Sequence, residues 1–594
     1  MQRAWRAKRG TALSNGWHPF CCPKGMLFRK ASTQKMRVVA QVSTFLLAGS
    51  VLATACGGDD DDDSDDAGRG GSSASGSSGK GGGTSKGGSS GTAGTAGTTT
   101  AGRGGVSGTG GALNEGGSGA VAGEGGAGES GEGGGGMGGN EGGAAGVGGE
   151  GGGQATLADP CRGIELPDGE FYVAPDLCVR AVAAGQGKLR QITFASNGDL
   201  IGVTTPGDIV RYRDVNEDGM FSGASEIVTL GSTGGPNGNN AHLEEAEGYL
   251  YAGTEAGVAR FPYSPDDDAL GEREDVVVGQ PSTGNHSAHT VHVFGDWLYV
   301  HSGSENNAVA PASPDYDRNR SVLKRFPLED FNPGEPFDWT EGSVFVRGIR
   351  NMVGFTQNAA GRMYGVVNGI DNLMYAGADI HLSNPGEDLI RLQEGGAHGY
   401  PYCFTAAHIL DSNEDPIAPG TQLVSSTDAS QPDPDFVNPH DDDWCAENSD
   451  EPVTFLPAHS APLDITFFEG PEGNLPEEWR GGAFVALHGS WNTMPSVGHK
   501  VVFVPFDSSG SAPMPEADAD DTQYPFPIVF GGGNGATPND GTWGWSSGDV
   551  GEDPVRPVGV AVSPVDGALY VSSDNNDEEA PGSGAIYRIG LARD

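Results

Sequence analysis

Short apolar runs broken by polar turns dominate the chain from residue 155 to residue 594. Within each run, apolar residues recur at alternate positions, and Gly, Asp, Asn or Pro separates one run from the next. Alternation with a period of two is typical of half-buried strands, and no stretch shows a convincing amphipathic helix. The pattern therefore predicts an all-β domain over 155–594.

The strand pattern repeats as six similar units, each a strand, a Gly-containing turn, a second strand and a third strand. The units contain ITFASNGDLIGVTTPGDIVRY from Ile192, EGYLYAGTEAGVARF from Glu247, HTVHVFGDWLYVHSGS from His289, GFTQNAAGRMYGVVNG from Gly354, LDITFFEG from Leu463 and GVAVSPVDGALYVSSDNN from Gly559. One such sheet cannot bury both of its faces, so the copies must stack around an axis. The repeats predict a six-bladed β-propeller, and the alternatives are a β-sandwich or two small β domains.

The N-terminal part has a different composition and predicts export. Residues 1–55 read as a signal peptide region with the true start at Met36, because a short apolar run leads to small residues before Cys56. This resembles a bacterial lipoprotein cleavage site, which would make Cys56 a lipid anchor to the cell envelope, facing the periplasm or the cell surface. Residues 56–154 are rich in Gly, Ser and Asp and predict a disordered linker. The alternative is an ordinary signal peptide without lipidation.

Charge and cysteine content narrow the function classes. The formal net charge of −46 argues against nucleic-acid binding, which needs concentrated Lys and Arg. Export implies an oxidising compartment, so the four cysteines after Cys56 are expected to form disulfides. Proximity in sequence predicts the pairs Cys161–Cys178 and Cys403–Cys445. No CxxC spacing suggests a zinc site.

Four of the thirteen histidines lie in the stretch NHSAHTVHVFGDWLYVHSGS. Propellers bind ligands on loops next to their inner strands, and His286 precedes such a strand. His289 and His292 point to opposite faces of that strand, and His301 lies at the end of the next one. A zinc site is therefore disfavoured, and a single functional His286 at the rim is the economical interpretation.

The stretch VRGIRNMVGF places Arg350 and Asn351 just before the inner strand of the fourth unit. Arg offers a rigid fork of donors for a carboxylate or quinone oxygen, and Asn adds a donor and an acceptor. The alternative is a structural Arg that caps loop carbonyls. Downstream lie oxygen ligands suited to calcium, namely the carbonyls of Gly369 and Ile370 and the carboxylates of Asp371, Asp379 and Glu387.

These residues, together with NGIDNL, GAHGYPYC, PAHSAPLDITFF, RGGAFVALHGSWN and RPVGVAVSPVDGALYVS, resemble the pyrroloquinoline quinone (PQQ)-dependent soluble sugar dehydrogenases. They are most similar to the sorbosone (aldose) dehydrogenase branch. The likeness runs from about Gly187 to Ile589. It implies a quinone over the central channel, a bound Ca²⁺, a sugar substrate and an electron acceptor that the sequence does not identify.

The resemblance also implies roles for individual residues. His286 matches the base that takes a proton from the anomeric hydroxyl, and Glu305 stands where a carboxylate orients that base. Arg350 matches the contact to the quinone oxygens at the reacting carbon, and Asn351 the adjacent cofactor-binding asparagine. The carbonyls of Gly369 and Ile370, with Asp371 close by, match the calcium site.

Further cofactor contacts are implied at three positions. Tyr400 falls where an aromatic residue stacks near cofactor and substrate, although Trp is usual there. Lys500 and Arg556 are the candidates for the later cationic contacts. The chemistry agrees with this assignment, because a neutral His suits proton removal near neutral pH and Arg with calcium stabilises negative charge on a quinone.

A second calcium candidate is the stretch DVNEDGMFSGASE. Asp214, Asn216 and Asp218 fit the start of a calcium loop, but the twelfth position is Ser225, and Glu226 lies one residue out of register. The alternative is a plain Asp-Gly turn between strands.

The sequence leaves two rival functions open. The first is a calcium-dependent hydrolase or lactonase, in which the acidic residues around Asp371 do the chemistry. The second is a non-catalytic surface propeller that binds a glycan or protein. Fold alone does not separate these functions from a dehydrogenase.

Overall fold

A computed structural model of the chain describes residues 161, 164–165, 171–234, 243–287, 289–308, 319–410, 415–427, 436–471, 473–490, 492–493, 497–514, 526–532, 555–574 and 584–592. The predicted signal peptide, Cys56 and the predicted linker lie outside these residues. The regular secondary structure of the described part is almost all strand, as the alternating pattern predicts. Its one α-helix is Asp442–Asn448, and four short 3₁₀ helices span Leu328–Asp330, Trp339–Glu341, His381–Ser383 and Glu477–Trp479.

The described strands form six sheets of four or five strands, numbered here in chain order. Sheet 1 contains Leu189–Phe194, Leu200–Thr204, Asp208–Tyr212 and Ile227–Ser232. Sheet 2 contains Leu243–Ala246, Tyr249–Thr254, Gly257–Pro262, Glu274–Val278 and Phe337–Asp338. Sheet 3 contains Val291–Phe294, Trp297–Ser302, Val322–Pro327, Ser343–Arg347 and Gly396–Ala397.

The second half of the chain builds the other three sheets. Sheet 4 contains Asn351–Gln357, Met363–Asn368, Glu387–Leu392 and Thr454–Leu456. Sheet 5 contains Pro462–Phe467, Ala483–Leu487, Lys500–Val504, Ile528–Gly532 and Phe171–Val173. Sheet 6 contains Pro557–Val562, Leu569–Ser573, Ala585–Leu591, Leu177–Ala184 and Ile164–Glu165.

Two smaller sheets lie in the connections of sheet 4. One joins Leu373–Tyr375 to Ala378–Asp379 and Ser426–Thr427. The other joins Cys403–Thr405 to Gln422–Val424. Among the described residues, no helix is both long enough and apolar enough to cross a membrane.

The first strands of the six sheets contact one another in a closed order. Contacts run from sheet 1 to 2, 2 to 3, 4 to 5, 5 to 6 and 6 back to 1. Sheets 3 and 4 are joined by the Thr290 hydroxyl, which donates to the Val353 carbonyl at 2.6 Å. An early and a late strand of the described residues meet in sheet 6, where Leu177–Ala184 pairs with Ala585–Leu591.

The core is divided into apolar layers, one between each pair of neighbouring sheets. The six layers contain Ile201 with Leu250, Val258 with Val300, Leu323 with Phe355, Val366 with Val485, Phe484 with Val571, and Leu189 with Ile586. A single sheet has no core of its own, so each sheet buries its two faces against the two neighbouring sheets. A further small cluster joins first-strand residues of sheets 4, 5 and 6, namely Val353, Leu463 and Val558.

Both predicted disulfides are confirmed. Cys161 bonds to Cys178 and Cys403 bonds to Cys445. The second disulfide ties the helix Asp442–Asn448 to the segment that carries Tyr400. Because this segment lies in the long connection between the last two strands of sheet 4, the bond holds a loop that the sheet itself does not hold.

Candidate functional site

The site lies at one edge of the ring, where each first strand begins and each second strand ends. These positions pair with each other in antiparallel register, as Asn351 with Asn368 and Pro557 with Ser573. Residues just outside the pairs therefore come together from different sheets. This placement explains why chemistry-bearing residues far apart in sequence meet here.

His286 lies beside the end of the second strand of sheet 3. Its Nδ1 is 2.6 Å from the Ser304 Oγ, and the Ser304 backbone N–H donates to the Arg350 carbonyl at 2.8 Å. A Cβ at Gly303 would lie 2.8 Å from the His286 Cβ, so glycine is needed for this close approach. His286 and Arg350 are thus neighbours at one rim.

Desolvation lowers the pKa of His286 well below its usual value, and the positive charge of Arg350 lowers it further. The negative charge of Asp371 acts in the opposite direction but does not cancel this effect. The imidazole is therefore neutral at neutral pH. A neutral imidazole is the form that accepts a proton.

The Arg350 guanidinium is buried, and its Nη1 donates to the Asn368 carbonyl at 3.5 Å. One loop and one carboxylate hold its other two nitrogens. Its Nε donates to the Asn307 carbonyl at 3.0 Å, and its Nη2 donates to the Asn307 Oδ1 at 2.8 Å and to the Asp371 Oδ2 at 2.9 Å. The Asn307 Oδ1 also accepts the Asp371 backbone N–H at 2.8 Å. Asn307 therefore fixes Arg350 and Asp371 together, although no sequence motif singles it out.

Asp371 is the central carboxylate of this half of the site. Burial alone would raise its pKa, but Arg350 and His459 hold the pKa well below its usual range. Its Oδ1 lies 3.5 Å from the His459 Nδ1 and accepts the Asn492 side-chain N–H at 3.1 Å. The side chain is therefore ionised.

His459 is the second imidazole of the site. Burial alone would lower its pKa, but the hydrogen bond to Asp371 and the charge of that residue raise it overall. Its Nε2 lies 2.6 Å from the His381 carbonyl, so both ring nitrogens face acceptor oxygens. This environment favours the charged imidazolium, in contrast to His286.

Of the other predicted calcium ligands, Gly369 and Ile370 directly precede Asp371, and Glu387 contacts Gly369. The Glu387 Oε2 accepts the Gly369 backbone N–H at 2.6 Å, and burial raises the pKa of Glu387 to about 7. Ile370 is buried, whereas Asp379 is exposed and its Oδ1 accepts the His381 backbone N–H. Within the described ranges, no three His, Cys, Asp or Glu side chains converge as a metal-binding group.

A second charged group lies at the same edge, on sheets 1, 5 and 6. The Asp574 carboxylate contacts Arg190 and accepts from the His488 Nε2 at 3.0 Å, and the His488 Nδ1 lies 2.9 Å from the Arg556 Nη2. Burial would raise the pKa of Asp574, but His488 and the two arginines hold it well below its usual range. Burial together with Arg556 lowers the pKa of His488 to about 4.

The backbone links the two charged groups. The His488 backbone N–H donates to the Ala461 carbonyl at 3.0 Å, and Ala461 lies two residues after His459 in the chain. Lys500 begins the next strand, is buried and pairs with Leu487, the residue before His488. Burial lowers the pKa of His499, and the charges of Arg556 and Lys500 lower it further. The predicted cationic contacts Lys500 and Arg556 therefore lie in one cluster, with Arg190 as a third cation that the sequence interpretation did not include.

Tyr400 is buried in the connection of sheet 4, and its hydroxyl donates to the Asn306 carbonyl at 3.1 Å. It also lines a small cavity of about 30 Å³ with Arg350, Asn368, Asp388 and His398. Tyr400 thus reaches the loop that carries Ser304, but its ring is an internal side chain rather than an exposed platform.

Glu305 was the predicted partner of His286, but the neighbouring residue occupies that place. Both residues lie in the part of the chain that the structure describes. Within that part, no hydrogen bond or ion pair joins the Glu305 carboxylate to the His286 ring. The Glu305 carbonyl instead accepts the Asn285 N–H at 2.8 Å. The Ser304 hydroxyl makes the contact to His286.

The other three histidines of the stretch go to separate places. The His289 Nδ1 contacts the Thr254 carbonyl, and the His292 Nδ1 lies 2.8 Å from the Glu244 Oε2. His301 is fully buried in sheet 3. They do not converge on one point, as the alternation of strand faces predicts.

The Asp214 loop is a closed turn on the outside of sheet 1. Its side chains bond the loop's own backbone, with Asp214 accepting the Gly219 N–H at 2.8 Å and Asn216 accepting the Asp218 N–H at 2.8 Å. Glu226 is buried, and its Oε2 accepts the Ser222 N–H at 2.7 Å. These bonds account for the acidic side chains as turn residues, and calcium here stays a prediction.

Comparison with known proteins places the chain in a family. A family model described as TrAA12-like matches residues 171–579. A pyrroloquinoline quinone-dependent pyranose dehydrogenase from Coprinopsis cinerea is 28% identical over 433 residues, which cover 70% of this chain and 55% of that protein. A pyrroloquinoline quinone-dependent sugar dehydrogenase from Hypocrea jecorina is 25% identical over 334 residues, which cover 52% of this chain and 71% of that protein.

A solved structure gives the same result. The holo form of the pyranose dehydrogenase PQQ domain from Coprinopsis cinerea matches with a TM-score of 0.58 and 26% identity, covering 72% of this chain and 99% of that one. The chain belongs to the TrAA12-like family. The resemblance to PQQ-dependent sugar dehydrogenases is therefore confirmed, while the match spans only about half of the full-length pyranose dehydrogenase.

Proposed function

We propose that this protein is a PQQ-dependent oxidoreductase that oxidises a pyranose or related aldose at its anomeric carbon. We infer that the six sheets are the six blades of a propeller whose rim carries the site. The observation that carries the proposal is the pairing of a neutral His286 with a buried Arg350 through Ser304. The likeness to a solved PQQ domain supports the same cofactor.

The residues at the rim suit this cofactor. The Asn351 Oδ1 and Asn492 Oδ1 are buried, and neither has a hydrogen-bond partner among the described residues. A quinone with a ring N–H can donate a hydrogen bond to such oxygens. If the quinone also carries carboxylates, these can bind cationic side chains. Asn351 and Arg350 would hold its reactive edge, and the Arg190, Lys500 and Arg556 cluster would hold its carboxylates.

His286 has the protonation state that the reaction needs. Oxidation of an aldose removes a hydride from the anomeric carbon and a proton from its hydroxyl, which leaves a lactone. When bound, the quinone supplies the two-electron acceptor. His286 takes the hydroxyl proton, because its imidazole is neutral and can therefore accept it.

A calcium ion belongs to the proposal. The carbonyls of Gly369 and Ile370 lie next to the ionised Asp371, and oxygen donors are the ligands that Ca²⁺ prefers. The ion would add positive charge beside Arg350, where electron density increases during the reaction. The Asp214 loop is the weaker candidate, since backbone N–H groups already use its carboxylates.

The proposal extends to substrate and location. Within the sugars, the motifs favour a sorbosone-type or glucose-type aldose, and the electron acceptor is an external partner of unknown identity. We also propose that the protein is exported and held at the cell envelope by lipid on Cys56, with residues 56–154 as a linker. This part rests on sequence alone.

The function is tested by reduction of an artificial dye. Purified full-length protein loaded with PQQ and Ca²⁺ is expected to reduce the dye when an aldose is added, and omission of either the quinone or the ion should abolish the rate. Lactone hydrolysis is measured in the same preparations. Lactone hydrolysis that needs Ca²⁺ but no quinone, without dye reduction, would instead establish the hydrolase alternative.

A further inference from the structure

We propose that Ser304 is a positioning residue that fixes the tautomer of His286, so that the Nε2 atom of His286 is the base. This inference rests on the proposed function and names a device within the same site. The carrying observation is a chain of hydrogen bonds from His286 through the Ser304 hydroxyl to the Asn306 carbonyl.

The direction of the protons follows from the acceptor at the end of this chain. The Ser304 Oγ lies 2.8 Å from the Asn306 carbonyl, which can only accept, so the hydroxyl proton points to that carbonyl. The Oγ then presents lone pairs to the His286 Nδ1 at 2.6 Å. That nitrogen must carry the proton, and Nε2 is left as the acceptor of the ring.

The opposite arrangement makes fewer hydrogen bonds. If Ser304 donated to Nδ1, its proton would leave the Asn306 carbonyl, and the Oγ lone pairs would have no donor from His286. Ser304 is fully buried, so water does not replace the lost bond. Since buried polar groups are costly when unpaired, the Nδ1–H tautomer is favoured.

The loop that carries Ser304 is itself held on several sides. The Asn306 carbonyl also accepts the Tyr400 hydroxyl at 3.1 Å, and Asn307 bonds Arg350 and Asp371. The Ser304 N–H donates to the Arg350 carbonyl. The same four-residue segment, 304–307, therefore orients both the base and the guanidinium.

The Nε2 atom is the ring nitrogen that does not contact Ser304. His286 is half-buried, and its Nε2 atom has no hydrogen-bond partner among the described residues. Ser304 thus replaces, one position earlier, the carboxylate expected at Glu305. A hydroxyl in this place orients the ring without adding a negative charge, and therefore leaves the imidazole neutral.

The test is Ser304→Ala in the full-length, quinone-loaded protein. We expect kcat to fall about 10- to 100-fold, the range seen when the partner that orients a metal-bound histidine is removed. Quinone affinity and the KM for the aldose should stay within about twofold, because Ser304 is fully buried and acts through His286. Ser304→Thr keeps the hydroxyl and should recover most of the rate.

Two further measurements separate positioning from a general structural role. In ¹⁵N-histidine spectra, with His286 assigned by its loss in His286→Gln, wild type should show Nδ1–H, and Ser304→Ala should show a mixture of tautomers. Ser563→Ala is the control, because Ser563 is a buried serine in the turn between the first two strands of sheet 6, where its hydroxyl accepts the Asp566 N–H. It should lower the melting temperature without changing kcat.

The outcomes distinguish the two proposals. If wild type neither binds quinone nor reduces dye, the proposed function fails. If wild type is active and Ser304→Ala has an unchanged kcat, or an Nε2–H tautomer is found in wild type, the role of Ser304 is wrong and the function stands. A quinone affinity that falls in parallel with kcat would likewise make Ser304 a structural residue only.

Discussion

Replacement of His286 by alanine is expected to lower kcat about 10²- to 10⁴-fold, the contribution typical of a positioned general base. Quinone binding should be retained, because Arg350, Asn351 and the cationic cluster remain in place. The measurement is steady-state dye reduction together with quinone titration of the same variant. His408→Ala is the matched control, since His408 is exposed and should leave kcat unchanged.

The pH dependence of wild type gives an independent check on this residue. Burial and Arg350 lower the pKa of His286, so the base stays neutral below the ordinary histidine range. A lowered pKa means that kcat/KM should stay level as the pH falls through 6.5, the unperturbed value, and decline only at more acidic pH. Retained turnover in His286→Ala, or a decline centred above that value, would remove the base from His286.

Replacement of Arg350 by methionine is expected to affect both activity and stability. kcat should fall about 10²- to 10³-fold, as for loss of one preorganised group that stabilises developing charge. The free energy of unfolding should fall by about 3 kcal/mol, because Asp371 stays ionised in a buried site without its main partner. Denaturant unfolding and dye reduction measure the two effects.

A double variant separates these two roles of Arg350. In Arg350→Met with Asp371→Asn, the amide is neutral and no longer needs the guanidinium, so at least half of the lost stability should return. Activity should not return, because the positive charge at the reactive edge is still missing. Recovery of turnover in the double variant would show that Arg350 serves the fold alone.

The repeat pattern was sufficient to predict the strand content and the grouping of strands into units. The unit quoted from His289 is an example, because it predicts a strand, a turn and a second strand. The structure has strands over Val291–Phe294 and Trp297–Ser302, with Gly295 in the turn between them. The layered core follows from the same alternation, because every second side chain along a strand must meet a neighbouring sheet. Proximity in sequence was also enough to pair the cysteines.

The site was only partly accessible from the sequence. His286 and Arg350 precede first strands, and Asn351 begins one, so the position itself identifies them. Ser304 and His488 follow second strands, and alignment of the six repeats at that position would have marked them as rim residues. The sequence interpretation named Glu305 and Gly369 after second strands because of the family resemblance. It did not compare this position across all six units and therefore missed Ser304 and His488.

Other contacts depend on side-chain geometry that no repeat encodes. Asn307 bonds Arg350 and Asp371 from a loop outside any strand, and its neighbours in sequence give no sign of this role. Glu305 had the expected spacing for a carboxylate partner, yet the turn places the adjacent Ser304 on the His286 ring. A shift of one residue reverses which side chain faces the site, so spacing alone could not decide between them.

The central claim is that a planar quinone binds at this rim against Arg350 and beside His286. The most direct test is titration of purified full-length apo-protein with PQQ in the presence of Ca²⁺, followed by desalting and absorbance spectroscopy. A saturable signal with a single quinone per chain, weakened in Arg350→Met and retained in His286→Ala, is the predicted result. Quinone absorbance that is lost completely on desalting wild type, with no saturation in the titration, would contradict the account.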